Sequence, residues 1–215
     1  MWLEARDERR TLKIIMKDKK QKFAKVKVLV IGYFKWLGLG RDKFKASSTV
    51  TLIQDNGKNI LVDTGNHEVE KKLIAALKKQ GLEPQDIDFV ILTHHHPDHT
   101  ANNHLFRQAI VTDWLTSYKK NKFIVDFDII NKGKNIITLN VYIKSTPGHA
   151  MDEGSVIVKT EDGIVAIAGD LFFNDQSERN IFVHEMKDFK RSRKEILALA
   201  DFIIPGHGGM FKVKK

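Results

Sequence analysis

Two stretches of the chain carry one pattern: STVTLIQDNGKNILVD at 48–63 and GSVIVKTEDGIVAIAGD at 154–170 each read as a strand, a glycine-containing turn, a second strand and a terminal aspartate. Their aliphatic and β-branched runs suit a pleated, half-buried surface, and DNGK is a hairpin turn. Two similar halves of this kind give two facing sheets, each burying one apolar face against the other. HEVEKKLIAALKKQGL (67–82) places Val69, Leu73, Ala76 and Leu77 on one helical face, lysines on the other, and Gly81 where a helix would stop. DFKRSRKEILALA (188–200) is a second amphipathic helix, so a helical segment follows each half. The expected architecture is an α/β (α+β) fold, a four-layer αββα sandwich. Further strands are read at KVKVLVIGYF (25–34), DFVILTH (88–94), TLNVYIKS (138–145) and DFIIPGHG (201–208); their order in the sheets does not follow from the sequence.

At 215 residues, 42% apolar and 29% charged, the chain suits one domain with a substantial core. The net charge of +9 is unevenly placed. Residues 1–27 hold ten basic and four acidic residues, Lys212, Lys214 and Lys215 add three more positive charges, and positions 28–211 hold 23 of each sign. The expected organisation is therefore a basic N-terminal arm or extension at 1–24 and a single domain at 25–215. The arm suits phosphate binding by counterion release, whereas the neutral body is not a nucleic-acid face. The sequence contains no cysteine, which excludes disulfides, thiolate nucleophiles and thiolate metal ligands. No apolar run has the length of a membrane helix and the charged start lacks a secretory apolar region, so the expected compartment is the cytoplasm, with no membrane partner.

The stretch THHHPDHTANNHLF (93–106) concentrates four of the nine histidines within six positions. At a strand end, residues two apart project to one side, so His94 and His96 can grip one metal ion while His95 points away. Pro97 breaks the strand, and Asp98 and His99 then approach from a second direction, where they can serve a second ion. Two ions roughly 3.5–4 Å apart share a bridging water and need more ligands than this stretch supplies. Three remote candidates lie at strand-to-loop junctions: His149 in STPGHA, Asp170 in IAGD and His207 in IPGHGG.

The THHHPDH segment resembles the HxHxDH signature of the metallo-β-lactamase superfamily, and TPGH, AGD and PGHG follow in that family's order over about residues 25–211. The resemblance implies a first metal held by His94, His96 and His149, a second held by Asp98, His99 and His207, and Asp170 bridging them. Thr100 and Ala101 stand where the family often has glycine, which leaves every ligand in place. The absence of cysteine excludes the β-lactamases that use a cysteine ligand. The extra C-terminal helical region of glyoxalase II-type thioesterases and an inserted β-CASP domain are not expected. The segments GYF, TLIQD, ILVDTG, GLEPQDIDFVILTH and NNHLF are similar to the single-domain group named after metallo-β-lactamase domain-containing protein 1, for which ribonuclease activity is a family trait.

These ligands point to hydrolysis. Two divalent ions, zinc by preference and iron or manganese as alternatives allowed by nitrogen and oxygen ligation, would share a bridging hydroxide and polarise a carbonyl or phosphoryl oxygen. Asp98 is expected to act both as ligand and as catalytic proton shuttle, and Asp63, at the end of the LVDTG strand, to orient a ligand imidazole. Three functions stand: a dinuclear hydrolase of a small ester, thioester or lactone; a metal-dependent RNA endonuclease that uses the arm; and a mononuclear iron sulfur dioxygenase that uses the first site alone. The expected partner is a small-molecule substrate or RNA, with the substrate-binding residues and oligomeric state left open. His67, His104 and His184 are read as structural or surface residues, and Trp114 and Tyr118, four apart on an expected helix, as core, with a place in the substrate groove as the alternative.

Overall fold

The computed structural model describes residues 22–40, 42–174 and 182–214. The arm expected at 1–24 lies outside them as far as residue 21. In chain order, β1 (Lys25–Val30) leads into β2 (Tyr33–Trp36), β3 (Phe44–Ser47), β4 (Val50–Asp55) and β5 (Lys58–Val62). Helix α1 (Glu70–Lys78), β6 (Phe89–Ile91), the short helix α2 (Pro97–Thr100), β7 (Ile110–Thr112), β8 (Thr116–Lys119) and β9 (Lys122–Val125) complete the first half. Helix α3 (Phe127–Lys132) leads into β10 (Lys134–Ile136), β11 (Val141–Ser145), β12 (Gly154–Thr160), β13 (Gly163–Ile167), helix α4 (Met186–Leu199), β14 (Phe202–Ile204) and β15 (Phe211–Lys212).

The strands form a seven-stranded sheet in the order β1-β4-β5-β6-β7-β8-β9, a six-stranded sheet running β10 to β15 in sequence order, and the separate β2–β3 hairpin. Both halves of the internal repeat build the same unit. β4 and β5 pair antiparallel and β6 joins them parallel; β12 and β13 pair antiparallel and β14 joins them parallel.

Alternation along these strands creates the layers. Ile60 and Val62 face the other sheet while Leu61, between them, faces α1; Val165 and Ile167 face the first sheet while Ala166 faces α4. Leu73 and Leu77 of α1 cover one outer sheet face, and Phe189 and Ile196 of α4 cover the other. The result is the αββα sandwich. Complete burial of Leu73 and Leu77 contributes roughly 1.5–3 kcal/mol each.

The element boundaries differ from the sequence expectation in instructive places. KVKVLVIGYF is two strands: it breaks at Ile31–Gly32, and β2 leaves the main sheet to pair with β3. The cause is a close approach, because a Cβ at Gly32 would collide with Thr49 N, Gly206 O and Ser47 O. The helix read at 67–82 opens as a 3-10 turn at His67–Val69 and ends at Lys78. Trp114 and Tyr118 are partly buried and lie on a strand hairpin instead of a helix, Trp114 packed against the inter-sheet core and Tyr118 against the outer one. No helix among the described residues is long and apolar enough to cross a membrane.

Asp55, at the end of β4, ties the two sheets together. It is fully buried and accepts from Thr138 Oγ1 at 2.6 Å, Asn140 Nδ2 at 2.9 Å and Asn140 N at 3.2 Å. Asp55→Ala strips these buried donors of a charged acceptor and is expected to destabilise the domain by about 3 kcal/mol, read as a lower urea midpoint.

Candidate metal centre

The expected donors converge at one end of the sandwich, where the strands of both parallel pairs deliver their C-terminal ends. β6 runs into Thr93 and His94, β13 into Asp170, β14 into His207, and β5 into Asp63. His96 is the extended residue before α2, and Pro97 opens that helix, so Asp98 and His99 re-enter the site from its first turn. His149 comes from the loop between β11 and β12. That loop is held by α4, since Ser192 Oγ donates to Pro147 O, and His184 N and Glu185 N both donate to Gly148 O.

Two donor groups result. His94, His96, His149 and Asp170 form one and Asp98, His99 and His207 the other, with ligand atoms in each lying within 4.8 Å of one another. In the first, His96 Nδ1 stands 2.9 Å from His94 Nε2 and 3.1 Å from His149 Nε2, and His149 Nε2 stands 3.5 Å from Asp170 Oδ2. In the second, Asp98 Oδ2 lies 3.6 Å from His207 Nε2 and 4.0 Å from His99 Nε2. Asp170 adjoins both groups, with Oδ1 3.3 Å from His99 Nε2 and Oδ2 3.2 Å from His207 Nε2.

These spacings fit a cation. Zinc holds nitrogen at about 2.0–2.1 Å, which puts the corners of a tetrahedron roughly 3.3 Å apart. Three imidazole nitrogens facing inward cannot satisfy one another by hydrogen bonding, whereas lone pairs converging on one point suit a metal. His99 Nε2 is buried and makes no hydrogen bond.

The electrostatics agree. Burial lowers the pKa of His94 well below the ordinary value and that of His149 to about 4, which keeps both neutral and ligand-competent. Burial also disfavours charge on His99, but Asp63 and Asp170 override it and hold that pKa well above the ordinary value. Burial would raise Asp170, yet His99 and His207 hold it well below the carboxylate range. Unlike charges are thus concentrated around two buried carboxylates, Asp63 and Asp170, and a divalent cation would replace the proton on His99.

A surrounding set of groups fixes the rings. Asp63 Oδ2 accepts from His99 Nδ1 at 2.8 Å, and the same carboxylate accepts from Thr93 N and Thr93 Oγ1 at 2.9 Å each. Asp63 adopts a left-handed backbone, φ 55°, a strained state for a residue with a side chain and one often kept at functional sites. His207 Nδ1 donates to Ser47 O at 3.0 Å, which turns Nε2 toward Asp170 and Asp98. Gly206 has no room for a Cβ, which would collide with Asp170 Oδ1. His95 points away as expected and meets Asp113 at 3.1 Å.

The sequence reading missed three features. Glu153 is fully buried, receives His149 N at 3.2 Å, and has its pKa pushed well up by burial and by Asp170; its place four residues after a ligand candidate was the available signal. The Ser47 carbonyl carries no sequence signal. The third is a cavity of about 400 Å³ beside the donors, walled by Phe34, Phe44, Phe173 and Phe182, with the exposed His184 also lining it. Phe34 is the centre of the wall, with ring centroids 5.0 Å from Phe44, 4.9 Å from Phe173 and 6.3 Å from Phe182.

An αββα sandwich with a His/Asp donor cluster at the ends of its parallel strands defines a metal-dependent hydrolase. Residues 45–207 match the model of the metallo-beta-lactamase superfamily, and the chain belongs to that family. Among its relatives is metallo-beta-lactamase domain-containing protein 1 of Xenopus laevis, 36% identical over 203 residues that cover 88% of this chain and 82% of the relative. The protein of the same name from Mus musculus is 30% identical over 218 residues, covering 87% and 84%. The fold is shared with an N-acyl homoserine lactone hydrolase solved with N-hexanoyl-L-homoserine at its catalytic metal center, at TM-score 0.63 and 19% identity, covering 88% of this chain and 94% of that one.

Asp63→Asn retains the size of the side chain but removes the anionic acceptor that orients His99. Metal affinity, measured by competition with a chromogenic chelator, is expected to fall by about 10–100-fold, with the far-UV circular dichroism unchanged.

Proposed function

We propose that this protein hydrolyses a small ester, thioester or lactone bearing an apolar acyl group, with two divalent metals, zinc by preference. His94, His96 and His149 would hold the first metal, Asp98, His99 and His207 the second, and Asp170 both. The phenylalanine-walled cavity carries the substrate assignment. Among the described residues no lysine or arginine lines it, so away from the donors it offers no cation to a phosphate chain and much apolar surface to a hydrocarbon one. That the lactone hydrolase of the same fold holds an N-hexanoyl product at its metal center supports an acyl group in this position.

When bound, such ions lower the pKa of water toward neutrality and polarise a carbonyl oxygen. The chain's own residues do the rest. Phe34, Phe44, Phe173 and Phe182 take up the acyl group, exclude water and aim its carbonyl at the donors. Asp98, the part-exposed carboxylate at the cavity wall, takes the proton from the attacking water and passes it to the leaving oxygen or sulfur. Asp63 and the Ser47 carbonyl hold His99 and His207 in the tautomers that present Nε2 to the site. The complete second donor group argues against a mononuclear oxygenase, which would leave Asp98, His99 and His207 without a role.

Metal analysis of the wild type alongside esters of increasing acyl length, thioesters, lactones and labelled RNA tests the proposal. The expected outcome is two metals per chain, markedly fewer in Asp170→Ala and His207→Ala, and hydrolysis lost in His96→Ala with the fold retained. Cleavage of RNA with no turnover of any acyl substrate would overturn it, as would a single iron with oxygen-consuming activity. Phe44, 47% exposed, tests the cavity separately. Phe44→Ala is expected to lower kcat/KM for a hexanoyl ester on the order of tenfold and to leave an acetyl ester nearly unchanged.

A further inference from the structure

Strand β9 ends the seven-stranded sheet, and no strand among the described residues pairs with its outer side. Edge strands are ordinarily protected by charge, proline, a bulge or a covering loop. β9 instead exposes Phe123, Ile124 and Val125 in succession, at 68%, 41% and 43%, followed by exposed Phe127, Ile130 and Ile136. Its charges are sorted by end. Lys119, Lys120 and Lys122 precede the apolar run and Asp126 and Asp128 follow it. A segment positive at its start and negative at its end complements an antiparallel copy of itself.

We propose that β9 is a homodimer interface, at which a second copy of this chain adds its own β9 antiparallel and joins two seven-stranded sheets across a two-fold axis. The backbone sets the register. β8 and β9 pair Lys119 with Lys122, Tyr118 with Phe123, Ser117 with Ile124 and Thr116 with Val125 around the two-residue turn Lys120–Asn121. Residues flanking such a turn exchange both hydrogen bonds, and bonded and non-bonded pairs alternate from there. Asp126 N, which points at Leu115 O, continues that alternation.

Lys122, Ile124 and Asp126 therefore direct their backbone groups at the β8 side, while Phe123 and Val125 present theirs to the free edge. A two-fold partner can bond only to those two. Pairing Phe123 with Val125 of the second copy puts Ile124 beside its own equivalent on the axis and Lys122 opposite Asp126, the extended residue that follows the strand. A shift of two residues either way takes Lys122 away from Asp126. The apolar run is thereby covered and the charges are matched in one register.

Sedimentation velocity of the full 215-residue chain over a range of concentrations tests the interface. The wild type is expected to show a concentration-dependent dimer. Lys122→Asp and Asp126→Lys should each weaken it about tenfold, because each reversal acts twice across the axis, and the double variant should restore it. Val125→Pro removes an outward N–H that β8 does not use, and should give a folded monomer by circular dichroism. A wild type that is monomeric at every concentration would overturn the proposal, as would a dimer untouched by both the charge reversals and the proline. If the proline variant fails to fold, the charge reversals and their mutual rescue decide the matter alone.

Discussion

The carboxylate of Asp63 is the point on which the site turns. It ends β5 in a strained left-handed backbone, and its two oxygens take up the backbone and hydroxyl of Thr93, from the end of β6, and the ring of His99, from α2. One buried anion thus fixes the relative position of two neighbouring strand ends and the short helix that follows them. His94 adjoins Thr93, with Nδ1 3.2 Å from its hydroxyl, so the orientation of the first donor group is tied to the same anchor. Thr93 also reaches the second half, because its carbonyl accepts from Gly154 N at the start of β12. The left-handed Gly169 packs against the Thr93 side chain with no room for a Cβ. The strain at Asp63 is tolerated because these bonds over-determine its position.

Donors and cavity come from different parts of the fold. The donors sit on loops at the ends of core strands, where neighbouring backbone hydrogen bonds hold them. The aromatic wall comes from the β2–β3 hairpin, which is outside both large sheets, and from residues that flank α4's approach to the site. A rigid scaffold carrying the chemistry and peripheral elements shaping the cavity is the division by which one fold serves many substrates. The hairpin also touches the donors through main-chain atoms, since Ser47, its last residue, receives His207. Changes in the hairpin therefore alter substrate fit and ring orientation together.

Much of this was legible in the sequence because it rests on strong local signals. The repeated strand, turn, strand and aspartate pattern has a counterpart in the two matching strand units, and alternation at Ile60, Leu61 and Val62 separates the inner from the outer core. The spacing of His94 and His96, the break at Pro97, and the position of Asp63 after a strand foretold which residues meet. The region from 103 to 137 was not legible, because β7 to β10 are three or four residues long, too short to show a period. The division of β1 from β2 depends on contacts of Gly32 with residues distant in sequence. The cavity was hidden for a similar reason, being assembled from Phe34, Phe44, Phe173 and Phe182, which belong to no common motif.

The backbone pair Thr49 N to Gly206 O and the side-chain bond of His207 to Ser47 O join positions about as far apart as this domain allows. During synthesis the first half emerges with His94, His96, Asp98 and His99 already in order, yet His149, Asp170 and His207 follow in the second half, His207 only after β14. At common translation rates the stretch from His96 to His207 takes on the order of ten seconds to appear. For that interval the donor cluster is without His207, and β13 is without the parallel neighbour that leads to it. The constraint that makes the finished site exacting, its assembly from both ends of the domain, also makes it the last part of the molecule to exist.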